Sequence, residues 1–413
     1  MSEIVVNEAN QWRLNTPGAQ GWDKSAQPGA ANKYLMISSD THANEPGNLW
    51  AERIDAKYRD RLPKVWIDEK GVQWRKMEAS EQPDRLILAK LEGEDLARSK
   101  AGATASERGP SVEQRIKDLD MDGIDGEVIF PGKGLGMWYT FDPDFAHAQC
   151  EVYNTWAWEN FGPYVDRLSP AAALATGNIE ATMKEIDRCL KLGFRHFTLP
   201  CKPLFGPPKT NELNYNKVEF DPMWARFVEA DVPVSFHVST GKDPRTTRGL
   251  GGAVVNYVVH SLSPTLEPLV NICASGVAER FPELKFGSVE AGIGWVPWML
   301  DAMDEAYLKH HFWVRPKLKA LPSDYFKAKG FATFGEDRAG LALMEEHGLQ
   351  DNFMWANDYP HHEGTWPHSA QAIERQMGGI SEISRAKVLG TNAAKVFGFK
   401  EVLAKYEAAS KKA

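Results

Sequence analysis

The 413-residue chain predicts one α/β domain of the (β/α)8 barrel class. Three observations predict it. Short apolar runs alternate with helical patterns eight times over. Four of those runs lead into residue types that bind metals: Tyr34–Ser38 into Asp40 and His42, Val232–Phe236 into His237, Leu284–Val289 into Glu290, and Phe353–Ala356 into Asp358. No GxGxxG turn or P-loop opens a helix, which weighs against the alternative, a doubly wound open sheet.

The elements follow in order. Residues 1–32 are polar and rich in Gly, Pro, Asn and Gln, and read as a tail draped over the body or over a partner subunit. Tyr34–Ser38 is the first strand. Residues 47–110 then break the rhythm, with a basic and aromatic region around Tyr58–Arg75 and the small-residue run Ser99–Ser106. So long an excursion reads as an insertion or lid. Regularity begins at Ser111, which caps a helix whose Ile116, Leu119 and Met121 keep helical spacing to Gly123. Gly126–Pro131 is the second strand. Asp144–Phe161 is a helix with Ala146, Cys150, Tyr153, Trp156 and Ala157 on one side. Ala171–Ala175 is strand three. Gly193 stops the helix Ile179–Leu192, and Phe194–Leu199 is strand four. The helix Pro222–Ala230, strand five, the helix Leu266–Phe281 and strand six come next. Tyr325–Lys329 precedes strand seven, Phe331–Phe334, and the helix Gly340–His347 precedes strand eight. The helices Ile380–Val388 and Thr391–Phe397 close a barrel spanning 33–400, and 401–413 read as a polar tail.

Lys and Arg number 48 against 56 Asp and Glu, a net charge of −8 with both signs scattered, so no nucleic-acid patch is expected. No run of ~18 apolar residues appears and no leader pattern opens the chain, so a soluble cytoplasmic protein without a membrane span is expected. Cys150, Cys189, Cys201 and Cys273 form no CxxC pair and read as buried thiols of a reducing compartment. Fourteen tryptophans imply a large interface or a Trp-lined pocket.

Barrel enzymes place their chemistry at the C-terminal ends of the strands. By that rule Asp40, His42, His237 and Asp358 gather two imidazoles and two carboxylates. That mix suits Zn, Mn, Fe or Co better than Ca or Mg, as one ion or two. Glu290 is a general base, a further ligand, or an ion-pair partner of Arg245 or Arg248. His361, three residues after Asp358, is an acid/base or packs behind the ligands. Lys242, Arg245 and Arg248 follow His237 on one loop and suit a substrate carboxylate. Trp295, Trp298 and Trp366 are candidate pocket walls. His196 and His260 read as packed core residues, and His310, His311 and His347 as solvent-facing.

Several segments together carry a family resemblance: Ser39–Pro46, Arg115–Asp125, Phe236-His237, Ala274–Lys285 with Glu279-Arg280-Phe281-Pro282, Asn357–His361 and Leu389–Ala394. They resemble the amidohydrolase superfamily, in the branch of aminocarboxymuconate-semialdehyde decarboxylase and related aromatic-acid decarboxylases. The resemblance runs over roughly residues 34–400 and covers 47–110 poorly. It implies a catalytic divalent ion held by Asp40, His42, His237 and Asp358. Two departures stand out: Asp40 replaces the first His of the usual His-x-His, and Glu290 occupies the place of a His that serves those decarboxylases as acid/base. A metal-dependent enzyme that acts on a small carboxylate-bearing substrate by hydrolysis or non-oxidative C–C cleavage, with Glu290 or His361 as acid/base, is expected, and the Glu290 replacement tilts that expectation away from the decarboxylases and toward hydrolase-like chemistry. The alternatives are an iron or mixed-metal oxygenase and a non-catalytic sister subunit. A homodimer, or a hetero-oligomer with a similar chain, is expected.

Overall fold

The apolar runs become eight parallel strands in the order expected. The structure, a computed structural model, describes residues 16–410 apart from 81, 86–110, 207–212, 241–249, 311–312, 314 and 362–363. The strands are β1 (Ile37–His42), β2 (Gly126–Phe130), β3 in two pieces (Leu168–Pro170 and Ala172–Ala173), β4 (Phe197–Leu199), β5 (Val234–His237), β6 (Phe286–Val289), β7 (Gly330–Phe334) and β8 (Phe353–Trp355). Each pairs in parallel with its sequence neighbour, for instance Val289 with His237 and Phe334 with Trp355. The strands are buried along their whole length, as a parallel sheet covered by helices requires.

The hydrogen-bonded ladder is not continuous around the ring. At Ala171 the third strand changes partner: Ala171 N donates to Ile129 O (2.8 Å) and Ala172 N to His196 O (2.9 Å). Between β8 and β1 a single bridge, Thr41 with Tyr359, carries the pairing. Side chains complete that seam. Ser39 Oγ donates to Trp355 O at 2.8 Å, and Asn357 N donates to Ser38 Oγ at 2.9 Å. Two serines in a buried strand thus satisfy backbone groups that a ladder would otherwise bond.

Alternate strand residues Ile37, Val128, Phe130, Val289, Phe331 and Met354 form one buried cluster with Phe397 and Phe399. A second, larger cluster lies between strands and helices. Helix ends obey their local chemistry. Ser111 Oγ accepts from Gln114 N at the start of Val112–Asp122, and Gly123 ends it at φ 78°. Gly193, at φ 116°, ends Ile179–Leu192. Only glycine adopts such backbone cheaply.

Several boundaries differ from expectation. The first strand begins three residues later than Tyr34, so Asp40 and His42 lie within it. The helix expected over Leu266–Phe281 is two, Leu266–Ala274 and Val277–Arg280, because Gly276 turns left-handed at φ 88° between them. Residues 401–413 are not a plain polar tail: Lys400–Ser410 is a helix whose Val402, Leu403 and Tyr406 pack on the barrel cluster. The described part of the tail lies on the body, with Trp22 edge-on to Tyr34 and stacked under Arg385. The excursion holds a helix (Leu49–Arg53), a 3-10 turn (Ala56–Arg61) and a three-stranded antiparallel sheet of Lys64–Ile67, Gln73–Lys76 and Asp84–Arg85. Its remainder, 86–110, lies outside the described residues.

Candidate metal centre

Six side chains meet where β1, β5, β6 and β8 end. Asp40 Oδ1 lies 3.3 Å from His237 Nε2 and 3.7 Å from His42 Nε2. Glu290 Oε2 lies 3.3 Å from His42 Nε2 and 3.4 Å from His237 Nε2. Bonds of about 2.1 Å to a tetrahedral ion would hold its ligand atoms about 3.4 Å apart. Asp40, His42, His237 and Glu290 therefore have the spacing of one ion's donor set. A second group overlaps it, made of His42, Glu290, Asp358 and His361. In it Asp358 Oδ1 stands 3.3 Å from His42 Nε2 and 3.0 Å from His361 Nδ1.

Proton placement decides what these groups want. His42 Nδ1 is 2.8 Å from Pro131 O, and His237 Nδ1 is 2.8 Å from Val238 O. Carbonyls only accept, so each Nδ1 carries a proton and each Nε2 turns its lone pair to the carboxylates. Lone pairs facing carboxylate oxygens repel unless a proton or a cation stands between them. Burial alone would lower the His42 imidazole, but Asp358, Glu290 and Asp40 around it raise it well above the usual range. Burial likewise opposes charge on His237, and Asp40 and Glu290 outweigh it. Burial, reinforced by Asp358 and Asp40, pushes the Glu290 carboxyl up despite His42. Burial works against the Asp358 charge, but His361 and His42 hold that carboxyl well below the usual range. Asp358 Oδ1 and His361 Nδ1 are buried, and neither makes an aligned hydrogen bond. The donor set fits a divalent cation, and both histidines are oriented through Nδ1 as metal-binding imidazoles are.

The backbone is bent to bring two of these carboxylates in. Glu290 (φ 60°) and Asp358 (φ 54°) both adopt left-handed backbone, which costs a non-glycine residue roughly 1 kcal/mol or more. Glu290 is held by its N–H on Thr333 Oγ1 (3.1 Å) and Asp358 by its N–H on Asp40 O (3.2 Å). Asp337 fixes the loop after Glu290, accepting from Ile293 N and Gly294 N at 2.7 Å each.

A cavity of about 380 Å³ opens over the centre, lined by Asp40, Glu290 and Asp358 together with Tyr257, Leu262 and Phe334. Glu336 and Asp337 also line it, but Glu336 pairs with Arg375 and Asp337 is spent on backbone N–H groups. Among the described lining residues there is no Lys or Arg to offset Asp40, Glu290 and Asp358.

The four expected ligands and Glu290 thus come together, divided between two overlapping groups. His361 joins them, its ring stacked on His42 with centroids 3.9 Å apart. Arg245, Arg248 and Lys242 lie outside the described residues, as does His311. Trp295 does not line the cavity: its indole N–H donates to Ala291 O (2.9 Å) and its ring packs on the core. Trp366 is buried against Tyr359 and Trp298 faces solvent, so neither walls the cavity. His196 and His260 are buried and bonded to Ser235 and Asn256. His310 is exposed and His347 half-buried.

Sequence reading missed the residues that brace the centre. Arg115, Asp118 and Asp122 fall at i, i+3 and i+7 on the first helix, all buried on one face. Arg115 donates to Glu127, to His42 O (2.7 Å) and to Thr41 Oγ1 (2.8 Å). Asp118 accepts from Tyr359 Oη at 2.8 Å, and Asp122 accepts from Ser369 N at 3.1 Å. Glu45 is buried and accepts from Gly132 N and Lys133 N, 2.9 Å each. Three charged residues on the inner face of an otherwise ordinary helix were the available signal.

Fold and centre define the class: a parallel α/β barrel with a mixed imidazole–carboxylate site at the C-terminal ends of its strands. The amidohydrolase family model matches residues 105–399, and the chain belongs to that family of enzymes. Solved structures agree in fold. The chain is similar to an amidohydrolase from Mycobacterium avium subsp. paratuberculosis K-10, with 21% identity over 88% of this chain and 99% of that one and a TM-score of 0.69. It is similar to 5-carboxyvanillate decarboxylase from Sphingomonas paucimobilis, with 20% identity, coverage of 89% and 99%, and a TM-score of 0.60. A variant 5-carboxyvanillate decarboxylase from Novosphingobium aromaticivorans DSM 12444, with manganese and 3-methoxy-4-hydroxy-5-nitrobenzoic acid bound, shares 20% identity at a TM-score of 0.63, covering 91% of this chain and 99% of its own. No helix among the described residues is long and apolar enough to cross a membrane.

Proposed function

We propose that the protein is a divalent-metal-dependent lyase or hydrolase. Its substrate is a small carboxylate-bearing compound, cleaved without net oxidation. The observation that carries this reading is the meeting of two Nε2 lone pairs with buried carboxylates, in a cavity whose described lining holds no Lys or Arg. Asp40, His42, His237 and Glu290 would hold the ion. Once bound, a divalent ion polarises an oxygen of the substrate and stabilises the charge that develops there. Asp358 and His361 are assigned the proton transfer. Asp358 Oδ1 lies against His361 Nδ1, and the His361 side chain, 32% exposed, connects the buried site to solvent. Manganese in the Novosphingobium structure and the decarboxylase activity named for two similar structures support cleavage beside a carboxylate.

The test is to load metal-free protein with Mn2+ or Zn2+ and supply hydroxybenzoates, watching for CO2 release, and simple lactones and amides, watching for hydrolysis. Activity toward one set, independent of O2 and lost in His237→Asn, is the expected result. Metal-loaded protein inert toward both sets, or active only with O2, contradicts it. The second outcome would favour the oxygenase alternative, for which the overlapping carboxylate-rich groups offer room for iron and for a second ion.

A further inference from the structure

The strand Lys64–Ile67 is an edge of the excursion's small sheet, bonded on one side to Gln73–Lys76. All four of its residues are exposed, with Val65 at 52%, Trp66 at 40% and Ile67 at 69%. Natural edge strands are usually blunted by proline, a bulge or an inward charge. Within Lys64–Ile67 there is no proline, and its only charge is Lys64.

The hairpin's hydrogen bonds say which groups face outward. Asp68 N donates to Val72 O at 2.9 Å, and the register pairs Trp66 with Trp74 and Lys64 with Lys76. Antiparallel pairs alternate between bonded and non-bonded. Lys64, Trp66 and Asp68 therefore turn their backbone groups inward, and Val65 and Ile67 turn theirs out. A second strand can join only where outward residues meet outward residues.

We propose that this edge pairs with the same edge of a second copy of the chain, antiparallel about a two-fold axis at Trp66. In that register Val65 bonds to the partner's Ile67 on both sides of the axis. Trp66 faces the partner's Trp66 in a non-hydrogen-bonded pair, where side chains approach most closely. Lys64 falls opposite the partner's Asp68, and the Asp68 carboxylate is already fixed by Lys70 N, Val72 N and Trp74 Nε1, each at 2.9 Å. Aliphatic meets aliphatic, indole meets indole and ammonium meets carboxylate in one register. The edge is complementary to itself, as an isologous interface must be. Two three-stranded sheets become one of six strands. The inference stands apart from the proposed chemistry and does not need it.

The test uses the full chain. Light scattering behind size exclusion should give about twice 46.1 kDa for the wild type. Val65→Pro, which removes one outward donor per copy, should give a monomer of unchanged metal content. A Trp66→Cys variant should crosslink between copies under mild oxidation, and Val65→Cys should not. The native cysteines are buried and do not compete. A wild type that stays monomeric, a Val65→Pro variant that stays dimeric, or crosslinking equal at 65 and 66 overturns the proposal.

Discussion

Removing the guanidinium of Arg115 should loosen the metal centre from behind. Arg115 pairs with Glu127, whose side chain is fully buried, and donates to His42 O at 2.7 Å, so one group braces both a buried charge and a proposed ligand. Arg115→Met leaves the Glu127 charge with no counter-ion, at a cost of roughly 3 to 5 kcal/mol. The lost bond to His42 O adds about 1 kcal/mol. Against a total stability of roughly 5 to 15 kcal/mol, the variant should be marginal. Replacing both partners with apolar groups, Arg115→Met with Glu127→Leu, removes the stranded charge and should recover at least half the loss. The assay is urea unfolding followed by tryptophan fluorescence, with Mn2+ affinity measured alongside. Affinity should fall by about tenfold in both variants, because His42 loses its brace. A single variant within about 1 kcal/mol of wild type, or a double variant no better than the single, would refute the reasoning.

Other outcomes follow from the same geometry. His42 and His237 hold protons to higher pH than a free imidazole, so metal must displace those protons. Affinity should rise with pH, by up to about a hundredfold per unit if both are displaced, and calorimetry in buffers of different ionisation enthalpy should register the release. Burial pushes His196 down to about 3, so it folds neutral. Its contribution is complete above the unfolded value near 6.5 and is lost as pH falls from there toward 3, by up to roughly 5 kcal/mol; denaturation midpoints of a His196→Gln variant should fall less over that range. A Cβ at Gly132 would stand 2.2 Å from Ala43 O, so Gly132→Ala should cost about 2 to 3 kcal/mol and displace Glu45 from its amides, visible as a lower melting temperature.

Much of this was legible because single residues decide it. Gly123 and Gly193 end helices where their left-handed backbone appears, and Ser111 caps where a hydroxyl precedes a helical pattern. The ligand set was legible because metal-binding residue types followed buried runs. Glu290 and Asp358 were visible, but their left-handed backbone was not, since it depends on Thr333 and Asp40 across the barrel mouth. The brace of Arg115, Asp118 and Asp122 was not legible because these buried positions are charged and carry no apolar spacing. The excursion's sheet was hidden for a different reason: its strands bury little, so no apolar alternation marks them, although Asp68-Glu69-Lys70-Gly71 is a turn sequence. Helix Lys400–Ser410 was masked by surrounding lysines and glutamates, and only Val402, Leu403 and Tyr406 tie it down.

Anomalous diffraction at the metal edges, on crystals of protein grown with Mn2+ or Zn2+, addresses the centre itself. The expected result is a strong peak about 2.0 to 2.3 Å from Asp40, His42, His237 and Glu290. Those four side chains holding only water, with any metal confined to the surface, would contradict the assignment and leave a barrel without its chemistry.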